Sequence, residues 1–551
     1  MAKPNDIADV LVIGSGASGG AFSWSVSREP GLNVVCLEQG DWIPEPEFSL
    51  TTDSDREYKR ITKPEGPPGI KTVTDGFPMD LSGSEWPASF HSAVGGSTVH
   101  YAGLFSRLHP SDFRVRTLDG IADDWPISYW DLEPYYDLND RMTGIAGLTG
   151  NTSTPPRSPR QNRAHGIGVA GDILASGFNK LGWHFWPADA AVLSEPYGDG
   201  REACTGFCFS CNEGCYKKAK ARTDVTYWPE AILNGVHLIT RARVREVTVN
   251  KEGKADGALY YDSEGQLHHQ KARVVVMACN GLGTPRILLN SKSPLFPDGL
   301  ANTSGQVGKN LMCHPIGSVT GLFEEDLDAY MGPRACSLIS EEFYETDASR
   351  GFVRGHSWLC GRGGAAGPLG TALGSAPGSS AAGGVRLGGS VPWGENHHRV
   401  FDELFNHTLG ISALGDDLPE EINRLELATD LVDQDGIPGI KVIVRRSENS
   451  KKLVDHSIET GRQLLEAAGA KEIIATGRTG GATGHYLGTC RMGVDPSRSV
   501  IDGWGAAHDV KNLFVIDGST FVTSGTVTPT STIQAIALRT ADYVQKNARN
   551  L

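Results

Sequence analysis

Asp9-Val10-Leu11-Val12-Ile13-Gly14-Ser15-Gly16-Ala17-Ser18-Gly19-Gly20 decides the reading of this chain. The run up to Gly14 is continuously apolar after Asp9, as a parallel strand buried on both faces requires. It leads into Gly14-x-Gly16-x-x-Gly19 and then a helix-compatible stretch from Ala21 to Arg28. A second apolar run, Asn33-Val34-Val35-Cys36-Leu37, ends in Glu38. This is a βαβ opening that carries a dinucleotide fingerprint. Gly14 makes the turn, Gly16 lets the backbone approach a pyrophosphate, and Gly19 allows close packing of strand and helix. Ser18 is grouped with these cofactor-binding residues. The helix N-terminus adds partial positive charge. Glu38 stands where an acid would hold a ribose hydroxyl, which favours FAD or NAD over NADP.

Outward from this opening, further buried runs recur far along the chain. Arg273-Val274-Val275-Val276-Met277-Ala278 closes a series of short strands expected over 236–280, and Leu513-Phe514-Val515-Ile516-Asp517-Gly518 precedes a helix expected from about Thr532 to Lys546. Nucleotide-type elements thus lie at both ends. Residues 165–190, 224–234 and 450–468 read as helical, 45–90 as polar and irregular, and Gly361 to Gly389, rich in Gly, Ala and Ser, as a mobile loop.

The 551 residues suggest two or three domains. A net charge of −14 argues against a nucleic-acid partner held by phosphate neutralisation. No apolar run approaches the ~20 residues that span a bilayer. The first residues lack an apolar signal core, so a cytoplasmic location is expected.

Five further phrases, in order, are Val94-Gly95-Gly96-Ser97-Thr98-Val99-His100, Gly283-Thr284-Pro285-Arg286, Val307-Gly308-Lys309-Asn310-Leu311, His485-Tyr486-Leu487-Gly488-Thr489-Cys490 and Val515-Ile516-Asp517-Gly518-Ser519. Together with the opening they resemble the glucose–methanol–choline (GMC) oxidoreductase family, FAD-dependent enzymes that oxidise alcohols. The phrase from Thr523 to Ala535 is most similar to the branch of gluconate, glucoside and fructose dehydrogenase flavoprotein subunits. The resemblance implies an α/β fold: a Rossmann-like FAD-binding domain over 1–315, an α+β substrate-binding domain of sheet and helices over 316–480, and a C-terminal part, 481–551, that completes the FAD domain and active site. It also implies that Gly95, Gly96 and Ser97 approach the flavin, that the backbone around Val244 faces the adenine, and that Asp517 and Gly518 close over the ribityl–pyrophosphate region. His100 resembles a histidine that carries a covalent bond to the flavin in some members and packs beside it in others; both readings stay open.

Alcohol oxidation needs a base for the hydroxyl proton, and imidazole suits neutral pH. By the resemblance that base is His485. The family's second His or Asn falls on Thr528, which can donate a hydrogen bond but is not basic. This departure places nearly the whole base role on His485, unless a one-residue shift of the loop makes another residue the partner.

Ten Cys are too few for a disulfide scaffold, yet Cys204, Cys208, Cys211 and Cys215 fall within twelve residues. Four thiolates so spaced can wrap one metal centre. An iron–sulfur cluster, disulfides or free thiols, and zinc all remain open. Lys217-Lys218-Ala219-Lys220 follows as a short basic patch. The expected activity is dehydrogenation of a secondary alcohol on a sugar, glycoside or polyol, with electrons passed to an acceptor other than dioxygen. The alternatives are a primary, aromatic or hydrophobic alcohol in a pocket lined by Trp358 and Trp393, an oxidase using dioxygen, and a flavin-binding protein without turnover. Expected partners are the small-molecule substrate, an electron-accepting protein and a small partner subunit of the kind that exports relatives to the periplasm.

Overall fold

The computed structural model describes residues 7–28, 31–44, 70–71, 77–85, 88, 90–206, 211, 214–328, 331–333, 337–361, 394–479 and 484–547. The opening apolar run forms β1, Ala8–Ile13, which turns through Gly14–Gly16 into α1, Ala17–Val26, and returns as β2, Val34–Leu37. The two strands pair in parallel, from Val10 opposite Val34 to Ile13 opposite Leu37. Every residue of β2 is buried, and Ser18 to Val26 of α1 are buried all round. Helix α1 lies between this sheet and the helix Thr530–Asn547, so it has no solvent face to make polar.

The strand Leu267–Met277 is the hinge of the seven-stranded sheet. Its last six residues pair in parallel with β1, Ala8 opposite Ala272 to Ile13 opposite Met277. On its other edge Val275–Met277 pair in parallel with Leu513–Val515. Its first five residues run antiparallel to Ala255–Tyr261, which in turn pairs antiparallel with Arg243–Val249. His237–Ile239 extends the sheet beyond β2, again in parallel. The expected strands over 236–280 thus resolve into four, and the C-terminal helix begins two residues before its expected start.

A six-stranded antiparallel sheet runs in the order Glu472–Thr479, Ile316–Leu322, Thr408–Gly415, His356–Cys360, Leu338–Phe343, Trp186–Pro187. The helix Glu448–Ala468 packs across it, capped at Ser447, whose hydroxyl accepts from the Ser450 N–H at 3.1 Å. A Cβ on Gly461 would lie 2.5 Å from the Trp358 ring, so glycine is what lets this helix settle on the sheet. Trp358 is therefore a core side chain, fully buried, and not the pocket lining expected of it. Trp393 and residues 362–389 lie outside the described residues. Arg424–Val432, Pro438–Ile443 and Met79–Asp80 form a smaller sheet. The helices expected at 165–190 and 224–234 are shorter, Gly168–Leu181 and Tyr227–Leu233, the first ended by Gly182 in the left-handed conformation.

One buried polar side chain stitches the parallel and antiparallel parts of the large sheet. The Asn512 amide donates to the carbonyls of Ala255 and Arg273, both at 2.7 Å, and accepts from the Ala255 N–H at 3.0 Å. Replacing it by Leu leaves these backbone groups buried and unpaired. Asn512→Leu is expected to cost about 2–5 kcal/mol, read as a lowered midpoint in thermal or urea unfolding; an unchanged midpoint would mean that water reaches this edge.

Candidate active site

Three groups of residues, remote in sequence, meet at the carboxyl ends of the parallel strands. The first is the glycine turn. Gly14 has φ +101°, and a Cβ there would stand 2.5 Å from the Ala278 carbonyl oxygen, at the end of the neighbouring strand. Gly16 is the N-cap of α1, with no side-chain cap and no acid in the first turn, so the helix N-terminus keeps its own N–H groups unspent on side chains. Glu38, at the end of β2, accepts from the Ser15 N–H at 2.9 Å, the Ser15 hydroxyl at 2.7 Å and the Gly40 N–H at 2.8 Å. Burial raises its pKa and these bonds oppose the shift. The Ala242 N–H donates to the Glu38 carbonyl, which brings the strand bearing Val244 beside this acid. Ser18 and Gly19 are buried in the first turn of α1.

The second group is the Gly95–His100 segment. A Cβ on Gly96, φ +51°, would lie 2.8 Å from the Gly16 Cα, so the two glycine loops touch backbone to backbone. Ser97 is exposed. His100 is partly buried, its Nε2 3.1 Å from Nε2 of His91, with the rings edge to face at 3.9 Å. Behind the segment, the ammonium of Lys220 is fully buried and donates to the carbonyls of Val99 (2.7 Å), Tyr101 (2.8 Å) and Cys211. Burial brings its pKa down to about 7. The basic patch expected at 217–220 is therefore not one: Lys220 is interior, and Lys217 pairs with Glu202 at 2.5 Å. Lys220 clamps the cysteine segment against Val99–Tyr101. Cys211 is buried, Cys204 and Cys215 are partly buried, and Cys208 lies outside the described residues. Among the described residues no group of three or more His, Cys, Asp or Glu is placed to hold a metal ion.

The third group comes from the C-terminal part. Asp517 caps the turn Gly518–Thr520, accepting from the Ser519 N–H at 2.9 Å and the Thr284 hydroxyl at 2.5 Å. Gly488 N–H donates to the Gly518 carbonyl at 3.1 Å, which joins the His485 segment to this turn. Met312 and Leu487 form an antiparallel bridge with reciprocal bonds of 2.9 and 3.1 Å. Stepping two residues outward on each side of that register sets His314 opposite His485. Their Nδ1 atoms lie 3.0 Å apart and the rings meet edge to face. Burial lowers the His485 pKa well below the ordinary imidazole value, and His314 beside it adds to the shift. Burial likewise brings His314 down to about 4. Both shifts favour the neutral imidazole.

His314 is the residue that reading along the sequence missed. The phrase Val307–Leu311 ends three residues short of it, and nothing local marks it; cross-strand register alone puts it at the site. Thr528, the expected partner of His485, instead donates its hydroxyl to the Leu104 carbonyl at 3.0 Å. Cys313, the chain neighbour of His314, is fixed by a buried ion pair. The Cys313 N–H donates to Asp417 at 2.9 Å and its carbonyl accepts from Arg446 at 2.7 Å, while Arg446 and Asp417 pair at 2.8 Å.

Comparison with known proteins accords with this arrangement. Residues 90–316 match the N-terminal model of the GMC oxidoreductases and residues 419–537 the C-terminal one. The 2-methyl-1,2-propanediol dehydrogenase of Mycolicibacterium austroafricanum is 39% identical, over 99% of this chain and 96% of that protein. The fructose dehydrogenase large subunit of Gluconobacter japonicus is 30% identical, over 98% and 97%. Among solved structures, pyridoxine 4-oxidase from Mesorbium loti has the same fold, with a TM-score of 0.65 at 15% identity, over 97% of this chain and 99% of that one. The chain is thus an oxidoreductase and belongs to the GMC oxidoreductase family.

Proposed function

We propose that this protein is an FAD-dependent dehydrogenase that oxidises a hydroxyl of a polyol or sugar and passes the electrons to an acceptor other than dioxygen. The observation that carries the reading is the partly buried His485, paired with His314 and tied through Gly488 to the Gly518 turn at the strand ends. In this reading residues 1–315 with 481–551 hold the cofactor and 316–480 face the substrate.

The residues present fit FAD. The N-terminus of α1 offers backbone N–H groups and partial positive charge to a pyrophosphate. A Cβ on Gly16 would find only the Gly96 Cα, at 3.8 Å, so the space in front of the helix is a cradle that a side chain would enter. Glu38, held by Ser15 and Gly40, has lone pairs left for a ribose hydroxyl. When bound, FAD supplies the two-electron sink that takes hydride from the carbinol carbon. The protein's part is proton transfer: as the C–H hydride leaves, the hydroxyl proton passes to His485, and an aldehyde or ketone remains. A neutral imidazole keeps its lone pair at neutral pH, ready to take that proton.

The secondary alcohol of a sugar or polyol is the first choice of substrate, from the likeness to the fructose dehydrogenase subunit. A second choice, a primary alcohol, is favoured by the relative named for 2-methyl-1,2-propanediol, a compound whose only oxidisable carbinol carbon is primary. The finer proposal for Cys204, Cys208, Cys211 and Cys215 is an iron–sulfur electron exit to a protein acceptor. The Lys220 clamp supports it by holding Cys211 next to the Val99–Tyr101 backbone. A partner subunit, with or without export, belongs to the same proposal.

Anaerobic bleaching of the flavin by a panel of secondary sugar alcohols, 2-methyl-1,2-propanediol and aromatic alcohols tests the function. His485→Ala is expected to keep FAD and slow bleaching by roughly 10²–10⁴-fold; a rate within a few fold of the parent would remove His485 from the reaction. Gly16→Ala is expected to leave unfolding of the apoprotein nearly unchanged while FAD content falls about tenfold, because the new Cβ meets only the Gly96 Cα, at an ordinary van der Waals distance, but fills the anion cradle. Purified protein is expected to contain iron beside flavin in one spectrum and metal assay. Flavin without iron would leave the cysteine segment a thiol-bearing loop. In the same sample, yellow colour retained after acid precipitation would assign His100 a covalent bond, and a colourless pellet would assign it packing alone.

A further inference from the structure

We propose that His314 is a positioning residue which holds His485 in the tautomer protonated on Nδ1, so that the base of the reaction is the Nε2 lone pair. The inference rests on the reading of His485 as base and adds which atom acts and what fixes it.

The hydrogen bonds at the two nitrogens of the His314 ring decide its tautomer. Nε2 of His314 faces the Ser524 carbonyl at 3.3 Å. Carbonyl oxygens only accept, so His314 carries its proton on Nε2. A second proton on this ring is opposed by full burial and by the Arg446 guanidinium nearby. Nδ1 of His314 is therefore a bare acceptor. The atom 3.0 Å away is Nδ1 of His485, and two bare nitrogens at that distance would repel; His485 must donate. A neutral imidazole with its proton on Nδ1 has its lone pair on Nε2.

The relay is anchored at its far end. The Ser524 hydroxyl donates to Asp416 at 2.7 Å and accepts from the Asp417 N–H at 2.8 Å, which fixes the peptide whose carbonyl reads His314. Asp417 and Arg446 hold both backbone groups of Cys313, which fixes the segment carrying His314. When His485 takes the hydroxyl proton it becomes a cation, and its Nδ1–H still points at the His314 lone pair. The relay thus favours the charged product of proton transfer as well as the orientation before it.

Two substitutions separate positioning from packing. In His314→Gln the amide can accept from His485 and donate to the Ser524 carbonyl; in His314→Leu it can do neither. With FAD bound, anaerobic single-turnover reduction by the fastest alcohol of the panel is expected to fall roughly a hundredfold in the Leu variant. It should stay within about tenfold of the parent in the Gln variant, with substrate affinity little changed in both. Nitrogen-15 NMR of histidine-labelled holoenzyme needs no substrate, and is expected to show His485 protonated on Nδ1, a signal lost in His314→Leu. A Leu variant as fast as the parent, Gln and Leu variants equally slow, or a His485 proton found on Nε2 would each overturn the proposal. If His485→Ala is slow while His314→Leu is fast, only the relay fails. If His485→Ala is itself fast, the base assignment fails first. Should the Leu variant not fold, the NMR of the parent and the Gln variant decide.

Discussion

Backbone pairing on both edges of Leu267–Met277 is the constraint on which the rest of the molecule depends. Parallel strands cannot be joined by a tight turn, so each neighbour must arrive from elsewhere in the chain. One edge takes β1 from the start of the chain and the other takes Leu513–Val515 from near its end. Because the strands are parallel, their carboxyl ends line up. The glycine turn after β1, Ala278 and Asn280 after the central strand, and Asp517 after the last strand therefore lie side by side. Asp517 bonds Thr284 within the helix that follows the central strand, which locks two of these ends together. Crevices at such a convergence are where α/β proteins bind nucleotides.

A second constraint is electrostatic and ties the antiparallel sheet to the same place. Arg354 is buried in the left-handed conformation and bonds Asp416 at 2.8 Å, Asp112 at 2.5 Å and Asp119 at 3.2 Å. Burial pushes Asp112 up to about 6. Its carboxylate also accepts from the Tyr344 hydroxyl and its backbone carbonyl from the Thr523 hydroxyl. Asp416 in turn holds Ser524. Such a cluster gains little net free energy after desolvation, but removing one member strands the others. What it secures is position: the loop Thr523–Gly525, which reads His314, cannot move without unpairing buried charge.

A lysine ties the described part of the cysteine segment to Val99–Tyr101. A buried ammonium with three carbonyl acceptors is satisfied in the manner interior charge requires. It also explains why the run 217–220, which looks like a solvated basic face, is split between a surface ion pair and an interior clamp. Sequence spacing could not tell these apart, because four adjacent positions in irregular backbone can point in four directions.

The sequence by itself determined the βαβ opening, the parallel sheet and the cofactor class, because these rest on local signals: unbroken apolar runs, glycines at fixed spacing and an acid at the next strand end. It determined His485 as a candidate through a phrase that can be read in one stretch. Only the tertiary structure decided the partner of that histidine. The Thr528 hydroxyl bonds Leu104, and the ring hydrogen-bonded to His485 is that of His314, brought there by the Met312–Leu487 register from 171 positions away. The pocket role expected of Trp358 failed for a similar reason, since a glycine on the packed helix made room for the ring inside the core. Local pattern fixes which faces are buried. Which remote side chains meet on them is fixed by strand register and helix packing, and those are properties of the closed chain.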